Sequence, residues 1–482
     1  MIQSRIRPRK VALFVPLMIC SASAVSAEIT LHAFEGCAHP SIACEGGGPQ
    51  STLIEGADGD LYGTTGEGGA SGAGTVFRMS TRGQVTTLYS FRNGSDGAYP
   101  YGGVTAGGYG DFYGTTSNGG NASAPGGYGT VFKITSAGVL TTLHVFGGGV
   151  EGFHPLTALV RGDFGNFYGT TYPTSAGGTV FRINRRGVFK TLYTFTGSPY
   201  GGLIKANDGN FYGTTNTDSG FSGYGSVFRI TPAGELTTLY TFTGGADGGN
   251  PGAALVQGSD GNFYGTTAPT SSFGTIGFGT IFRVTPSGEL TTLYTFSGGS
   301  DGAYPYAGLV QASDGNFYGA TQYGGAAFVE AGFGTVFKLT PNGSLITLHT
   351  FNGNDGANPH NTLLQGNDSR LYGTAPAGGA FGAGIVFRLD GPPAVPKHLT
   401  ARVNNGQVAL TWASAPGAQS YNVYQGASAN GEDAVPVQTV VTRRRTTISG
   451  LTGGMTYYFK VSATNQTGTS LLSEEASVTV GQ

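Results

Sequence analysis

The sequence predicts an all-β protein, a seven-bladed β-propeller of about 50-residue repeats followed by a smaller β-sandwich. Three features predict it. A YG[TA] signature recurs at Tyr62, Tyr113, Tyr168, Tyr212, Tyr264, Tyr318 and Tyr372, with spacings of 44 to 55 residues. Turn-forming Asp-Gly and Thr-Pro pairs separate short runs rich in Phe, Tyr, Val, Ile and Thr, residues that suit a pleated, half-buried surface. No segment sustains a helical period.

The fifth repeat displays the unit most clearly. Its four apolar runs are ALVQ, NFYGTT, GTIFRV and ELTTLYTF. Asp-Gly divides the first two, since glycine accepts the positive φ of a hairpin turn. Thr-Pro-x-Gly divides the last two, with proline presetting φ. Four antiparallel strands per unit follow. In "DGNFYGTT" (Asp260–Thr267) the Phe and Tyr are expected to pack between neighbouring blades, and the Thr pair to reflect strand propensity. The chain opens with a lone fourth-strand run (Ile29–Phe34), and its last repeat stops after a third strand (Ile385–Leu389). The N-terminal run is therefore expected to complete the seventh sheet and protect its edge.

Of 482 residues, 87 are Gly and 22 are Pro; their periodicity points to turns rather than disorder. Charged residues are only 11% and the net charge is −2, which gives no electrostatic reason to expect nucleic acid or anionic lipid. Arg5, Arg7, Arg9 and Lys10 precede an apolar run, Val11–Cys20, and small residues up to Ala27, so residues 1–27 read as an export signal. The run is too short for a membrane span. An exported chain favours a disulfide between the remaining cysteines, Cys37 and Cys44.

The repeats, read as LYGTT…GTVFKxTPxGxLTTLYSF and matched closely by Phe263–Phe296, resemble the choice-of-anchor tandem-repeat proteins of the GloVer type. The resemblance runs from about Leu31 to Leu389. It implies a secreted or surface-attached bacterial protein and brings no catalytic residues. After Asp390 the composition changes. PKHLTA, VALTW with Trp412, YNVY with Tyr421, and LTGGMTYYFKVSATNQTG resemble a fibronectin type III domain, with Tyr457 at the place of its tyrosine corner. The expected domains are thus a signal peptide (1–27), the propeller (28–390) and the fibronectin type III domain (391–482).

Catalytic motifs are weak. Gly298–Gly302 fits G-x-S-x-G but lies in a loop of an all-β repeat, without the strand–turn–helix that motif requires. The seven histidines show no metal-ligand spacing. A stronger pattern is acid-Gly-x-x-Pro, in the loops entering six of the seven first strands: Glu45, Asp96, Glu151, Asp247, Asp301 and Asp355; one loop, GSPYGG (Gly197–Gly202), has lost it. The loops between second and third strands often end in Gly-aromatic-Gly, at Tyr128, Tyr224, Phe278 and Phe333. Both loop sets emerge on one face of an up-and-down blade. Asp96, Glu151, Asp247, Asp301 and Asp355 with Tyr128, Tyr224, Phe278 and Phe333 are therefore the candidate ligand-binding residues, against a background of ordinary Asp-Gly turn chemistry.

No cofactor is expected beyond Ca²⁺, which those carboxylates could ligate. The leading function is a secreted, monomeric, non-enzymatic protein binding an extracellular glycan or protein. Two alternatives stay open: an extracellular carbohydrate-active enzyme, hydrolase or lyase, using the acidic loops, and a purely structural display protein.

Overall fold

Seven four-stranded antiparallel sheets, one per repeat, form the first part of the chain. The computed structural model describes residues 29–36, 45–120, 126–172, 177–216, 223–268, 277–325 and 332–481. The expected export signal (1–27) and the expected Cys37–Cys44 bond lie outside the described residues. Two single 3₁₀ turns, Gly149–Glu151 and Asp163–Gly165, are the helical elements among them.

Strands follow the sequence runs. In the fifth repeat they are Val256–Gln257, Phe263–Thr267, Thr280–Val284 and Leu290–Thr295, paired in chain order. Each sheet stays open with its first strand at one edge, a strand of two or three residues except in the second repeat, where it is Val104–Gly108. The seventh is the exception in connectivity: Leu364–Gln365, Leu371–Ala375 and Ile385–Leu389 take Ile29–Ala33 as their fourth strand. That pairing is antiparallel, Thr30 against Phe387 and Ala33 against Ile385, as the sequence led us to expect. It satisfies an edge that would otherwise be open and joins the two ends of the repeat array.

Adjacent sheets hold each other through three recurring contacts. The signature Tyr of one sheet packs on the signature Phe of the next: Tyr62 on Phe112, Tyr113 on Phe167, Tyr168 on Phe211, Tyr212 on Phe263 and Tyr264 on Phe317, with centroids 4.0–4.2 Å apart. In the last two junctions leucine replaces phenylalanine, so Tyr318 shares a core with Leu371, and Tyr372 with Leu61. The first Thr of YGTT reaches into the following repeat: the Oγ1 of Thr64, Thr115, Thr214, Thr266 and Thr374 donates to the backbone carbonyls of Pro100, Thr157, Ala253, Ala307 and Ser51. The second Thr pairs with the Thr opening the third strand, as in Thr65–Thr75 and Thr267–Thr280, within 2.9 Å. The Thr pair thus does more than favour strand: both hydroxyls are buried donors with partners.

The third contact explains two otherwise separate motifs. The residue before the loop proline donates its N–H to the preceding repeat in most repeats: His154 to Tyr128, Asn250 to Tyr224, Tyr304 to Phe278 and Asn358 to Phe333; in the fourth repeat Ser198 donates instead to Asn216 of its own repeat. The four inter-repeat donors adopt positive φ of 50–60°. The glycine after each of their acceptors then lies beneath the proline ring. A Cβ on Gly279 would meet Pro305 Cδ at 2.5 Å, and one on Gly384 would meet Pro49 Cδ at 2.6 Å. The last junction, from the seventh repeat to the first, uses the same device, with Gly48 N–H donating to Ala383. The contacts therefore run in cyclic order, first repeat to seventh and back.

The turn aspartate has its own task. Tyr62, Tyr212, Tyr264, Tyr318 and Tyr372 donate their hydroxyls to Asp58, Asp208, Asp260, Asp314 and Asp368, four residues earlier, at 2.7–3.0 Å. Burial and the facing carboxylate push the phenols of Tyr62, Tyr212 and Tyr264 up to about 12.

The C-terminal segment forms a sandwich. Thr400–Asn404, Gln407–Thr411 and Arg445–Ile448 make one sheet; Ser420–Gly426, Gln438–Val441, Thr456–Asn465, Gly468–Thr469 and Ala476–Thr479 make the other. Trp412 is buried in its core, 5.3 Å from the Tyr421 ring. Thr452 N–H donates to the Tyr457 hydroxyl at 2.9 Å, at the expected corner. The sandwich docks on the turns between first and second strands of the sixth and seventh repeats, Asp314-Gly315 and Asp368-Ser369. Ser313 Oγ donates to Pro393 O at 2.8 Å, Leu471 N–H to Ser313 O at 2.8 Å, and Ser369 Oγ to Pro416 O at 3.0 Å.

Two changes test this framework. Gly279→Val sets a branched side chain against Pro305 at a φ of +105° and should destabilise by about 3 kcal/mol, read as a lower urea midpoint. Deleting residues 28–35 removes the seventh sheet's fourth strand and should lower the melting temperature sharply; an unchanged transition would refute the closure.

Candidate functional site

The loops entering first strands and those following second strands do share one end of the sheets. They are bridged directly, Ala98 to Asn118, Phe153 to Tyr172, Ala303 to Tyr323 and Ala357 to Ala377. At that end lies a cavity of ≈ 630 Å³ to which every repeat contributes. The residue just after each loop proline lines it: Gln50, Tyr101, Leu156, Tyr200, Gly252, Tyr306 and His360. The proline, preceded by a residue at positive φ in six of the seven repeats, directs this position inward, and in three repeats a tight turn closes around the proline. Tyr101, Tyr200 and Tyr306 donate their N–H to the carbonyl two residues back at 2.8–2.9 Å.

The lining is uncharged and mixes polar groups with apolar ones such as Leu156, Val160 and Leu203. Three tyrosines occupy alternate repeats, the second, fourth and sixth, and Thr52, Thr157, Gln322, Asn361 and Thr362 add donors and acceptors. Gly252 leaves space between two of the tyrosines: a Cβ there would come within 3.4 Å of the Tyr306 ring and 3.8 Å of the Tyr200 ring. No Asp, Glu, Lys or Arg is among the lining residues. Loss of water around His360 lowers its pKa, more than its bond to Asn358 O raises it, so the ring stays neutral near pH 7.

The carboxylates singled out in the sequence sit one segment earlier, where they close turns. Asp247 accepts from Tyr240 OH (3.0 Å), Thr243 N–H (2.8 Å), Thr243 Oγ1 (2.5 Å) and Gly245 N–H (3.2 Å). Asp301 repeats this with Tyr294 and Ser297. Asp96 does so with Tyr89, Arg92 and Gly94. Asp355 accepts from Asn352 and lies 3.3 Å from His349; Glu151 accepts from Gly147 N–H and lies 3.3 Å from His144. Among the described residues no three His, Cys, Asp or Glu gather as a metal site would require. Tyr128, Tyr224, Phe278 and Phe333 hold the next repeat's loop through their carbonyls, and the ring of Phe278 packs into a core. None of these nine residues lines the cavity. The G-x-S-x-G segment is one of the same turns, with Ser300 O accepting from Thr347.

Sequence reasoning passed over the seven cavity positions. The signal was available: aligned on the loop proline, the next residue reads Gln, Tyr, Leu, Tyr, Gly, Tyr and His while its surroundings repeat.

A profile of the Gloeobacter/Verrucomicrobia repeat matches residues 23–201, 178–387 and 270–432. The chain belongs to that family. Its Gloeobacter/Verrucomicrobia repeats are followed by a fibronectin type III domain, matched at residues 394–479. No curated protein matches the chain. Among solved structures, an Fn3-like protein from Clostridium thermocellum is 33% identical over 19% of this chain and 95% of its own, with a TM-score of 0.18. The twitchin kinase region from C. elegans is 26% identical over 18% of this chain and 17% of its own, with a TM-score of 0.17. A puromycin hydrolase is 14% identical over 79% of this chain and 61% of its own, with a TM-score of 0.46.

The turn carboxylates make a stability prediction. Burial raises the Asp247 pKa, but bonds from Thr243 and Tyr240 outweigh it and hold the carboxyl below its usual value; Asp208 and Asp260 behave alike. A depressed folded pKa contributes stability above the unfolded pKa of about 3.9, and that stability is lost as pH falls below it. Asp247→Asn should flatten the loss of stability between about pH 5 and pH 2. Asp301→Ala should cost about 1–2 kcal/mol at pH 7, measured by urea unfolding.

Proposed function

We propose that this chain is an exported, non-enzymatic binding protein whose seven sheets are the blades of a propeller, and that its cavity holds a neutral glycan segment. Cyclic order of the inter-sheet contacts supports the propeller: seven units, each touching only its neighbours, with the last bonded to the first through Thr374 and Ser51. Export is supported by the basic, apolar and small-residue order of residues 1–27. Among the described residues no helix is long and apolar enough to cross a membrane.

The cavity's composition carries the ligand class. Tyrosine rings offer flat apolar faces with a hydroxyl at the tip, and the neighbouring Thr, Asn and Gln groups both donate and accept. A ligand rich in hydroxyls and free of charge answers both features. An anion or cation would enter a partly dehydrated site with no counter-charge in the lining. Glycoside hydrolysis needs two carboxyl groups flanking the scissile bond, and the lining supplies none. The acidic and Gly-aromatic loops form the rim in this reading, where Asp96, Asp247, Asp301, Tyr128 and Phe333 extend the contact surface.

A glycan array paired with a hydrolysis screen tests the proposal. Uncharged oligosaccharides should bind without being cleaved. Gly252→Phe fills the space between Tyr200 and Tyr306 and should abolish that binding with little change in melting temperature. Tyr200→Ala with Tyr306→Ala should weaken it at least tenfold. Retained binding in Gly252→Phe would move the site elsewhere, and turnover of a glycan would overturn the non-enzymatic reading.

A further inference from the structure

Five of the seven repeats place an aspartate in the turn between first and second strands, bonded to the signature tyrosine. Two adjacent repeats depart from this. Tyr109 stands at that position in the second, and Phe164 in the third. Neither ring is packed: their exposures are 96% and 101%. Both sit at positive φ, 59° and 56°, followed by a glycine also at positive φ. Asn-Gly favours such a turn, whereas a bulky aromatic there is a backbone outlier. An aromatic that is strained and solvated at once gains nothing from folding, and this pair has it twice, side by side. Strain kept without a packing return is a mark of a functional surface.

The surroundings say what the surface would recognise. Arg185 links the two turns: its N–H donates to Gly165 O at 3.2 Å, and its guanidinium lies 5.8 Å from the Tyr109 ring centroid while bonded to Gly107 O. The guanidinium groups of Arg161 and Arg185 both approach within 4 Å of where a Cβ on Gly108 would lie, and Arg186 is exposed beside them. Nearby carboxylates are already paired with lysines, Asp111 with Lys133 and Asp163 with Lys205, each at 2.6 Å. Among the described residues Arg161, Arg185 and Arg186 have no carboxylate within ion-pair distance. The face is the one on which the fibronectin type III domain covers the turns of the sixth and seventh repeats. The second and third repeats leave theirs uncovered.

We propose that Tyr109, Phe164 and this arginine cluster form a second binding surface, for an acidic polysaccharide. Tyr109 lies between Gly108 and Gly110, Phe164 between Asp163 and Gly165, and both rings are fully exposed, so their faces are open for stacking against pyranose rings. Guanidinium groups match carboxylates in a planar, bidentate fork. Two isolated ring platforms with unpaired cations suit a chain of charged sugars. The cations beside the rings, Arg161, Arg185 and Arg186, favour an anionic occupant. The inference stands on these residues alone and does not depend on the cavity.

The test titrates the full chain with oligogalacturonate, with an uncharged oligoglucan of equal length and with oligoglutamate, by calorimetry. Oligogalacturonate should bind, and its affinity should fall severalfold from 50 to 500 mM NaCl. Tyr109→Asn with Phe164→Asn should weaken it at least tenfold while the melting temperature holds or rises, because asparagine relieves the turn. Arg161→Gln with Arg186→Gln, both exposed, should weaken it comparably without unfolding. Equal affinity in either double variant, or no oligogalacturonate binding by the parent chain, would overturn the proposal. So would oligoglutamate binding as tightly, which would assign the surface to an acidic protein segment. Gly252→Phe, which blocks the cavity, should leave oligogalacturonate binding intact, separating failure here from failure there.

Discussion

The lock between one repeat's proline and the preceding repeat's glycine sets the terms for the rest of the structure. It couples two backbone features that only act together. A residue at positive φ turns its N–H toward the previous sheet, and the proline ring then settles over a glycine that has no Cβ to obstruct it. The geometry cannot be met within one repeat. The two halves of a lock come from different repeats, and a lone sheet would leave backbone groups without partners and an uncovered aromatic row. Stability is therefore a property of neighbours, as in other repeat arrays. Closure of the seventh repeat on the first leaves no terminal unit, and Ile29–Ala33 makes that closure covalent through the chain itself.

The same lock positions the candidate site. Because the proline is fixed against the previous sheet, the residue after it is fixed as well, and seven such residues meet around one cavity. That position tolerates varied side chains: it accommodates glutamine, leucine, glycine, histidine and three tyrosines without disturbing the repeat. Freedom of side chain on a rigid backbone is what a binding surface needs. The acidic residues have the opposite character. Asp96, Asp247 and Asp301 each satisfy several turn donors at once, and the energetic weight of leaving those donors unpaired explains their recurrence.

The turns at the other end show how a departure from a repeat can be read. Asp58, Asp208, Asp260, Asp314 and Asp368 recur because a buried phenol needs an acceptor. In the second repeat that acceptor is absent from the turn, and burial, with a smaller contribution from the Asp111 carboxylate, raises the pKa of Tyr113. The sixth repeat goes further in the other direction. There the docked sandwich covers Asp314 to 2% exposure, and Lys338 pairs with it at 2.8 Å, so the fibronectin type III domain is seated on a satisfied ion pair.

Much of this was legible in the sequence because it depends on short-range chemistry. Strand number, order and boundaries follow from Asp-Gly and Thr-Pro turns with alternating aromatics, each a matter of local φ and pleat. The unpaired fourth-strand run at the N-terminus and the missing one after Leu389 sufficed to place Ile29–Ala33 in the seventh sheet. Trp412 and Tyr457 declared the sandwich. The cavity was not legible. Its seven residues lie 44 to 55 positions apart, look unremarkable singly, and converge only because the inter-sheet locks bring them together. Nor could sequence distinguish a carboxylate that closes a turn from one held open for a ligand, since both are written Asp-Gly. That difference lies in which N–H groups surround the side chain, and tertiary packing alone decides it.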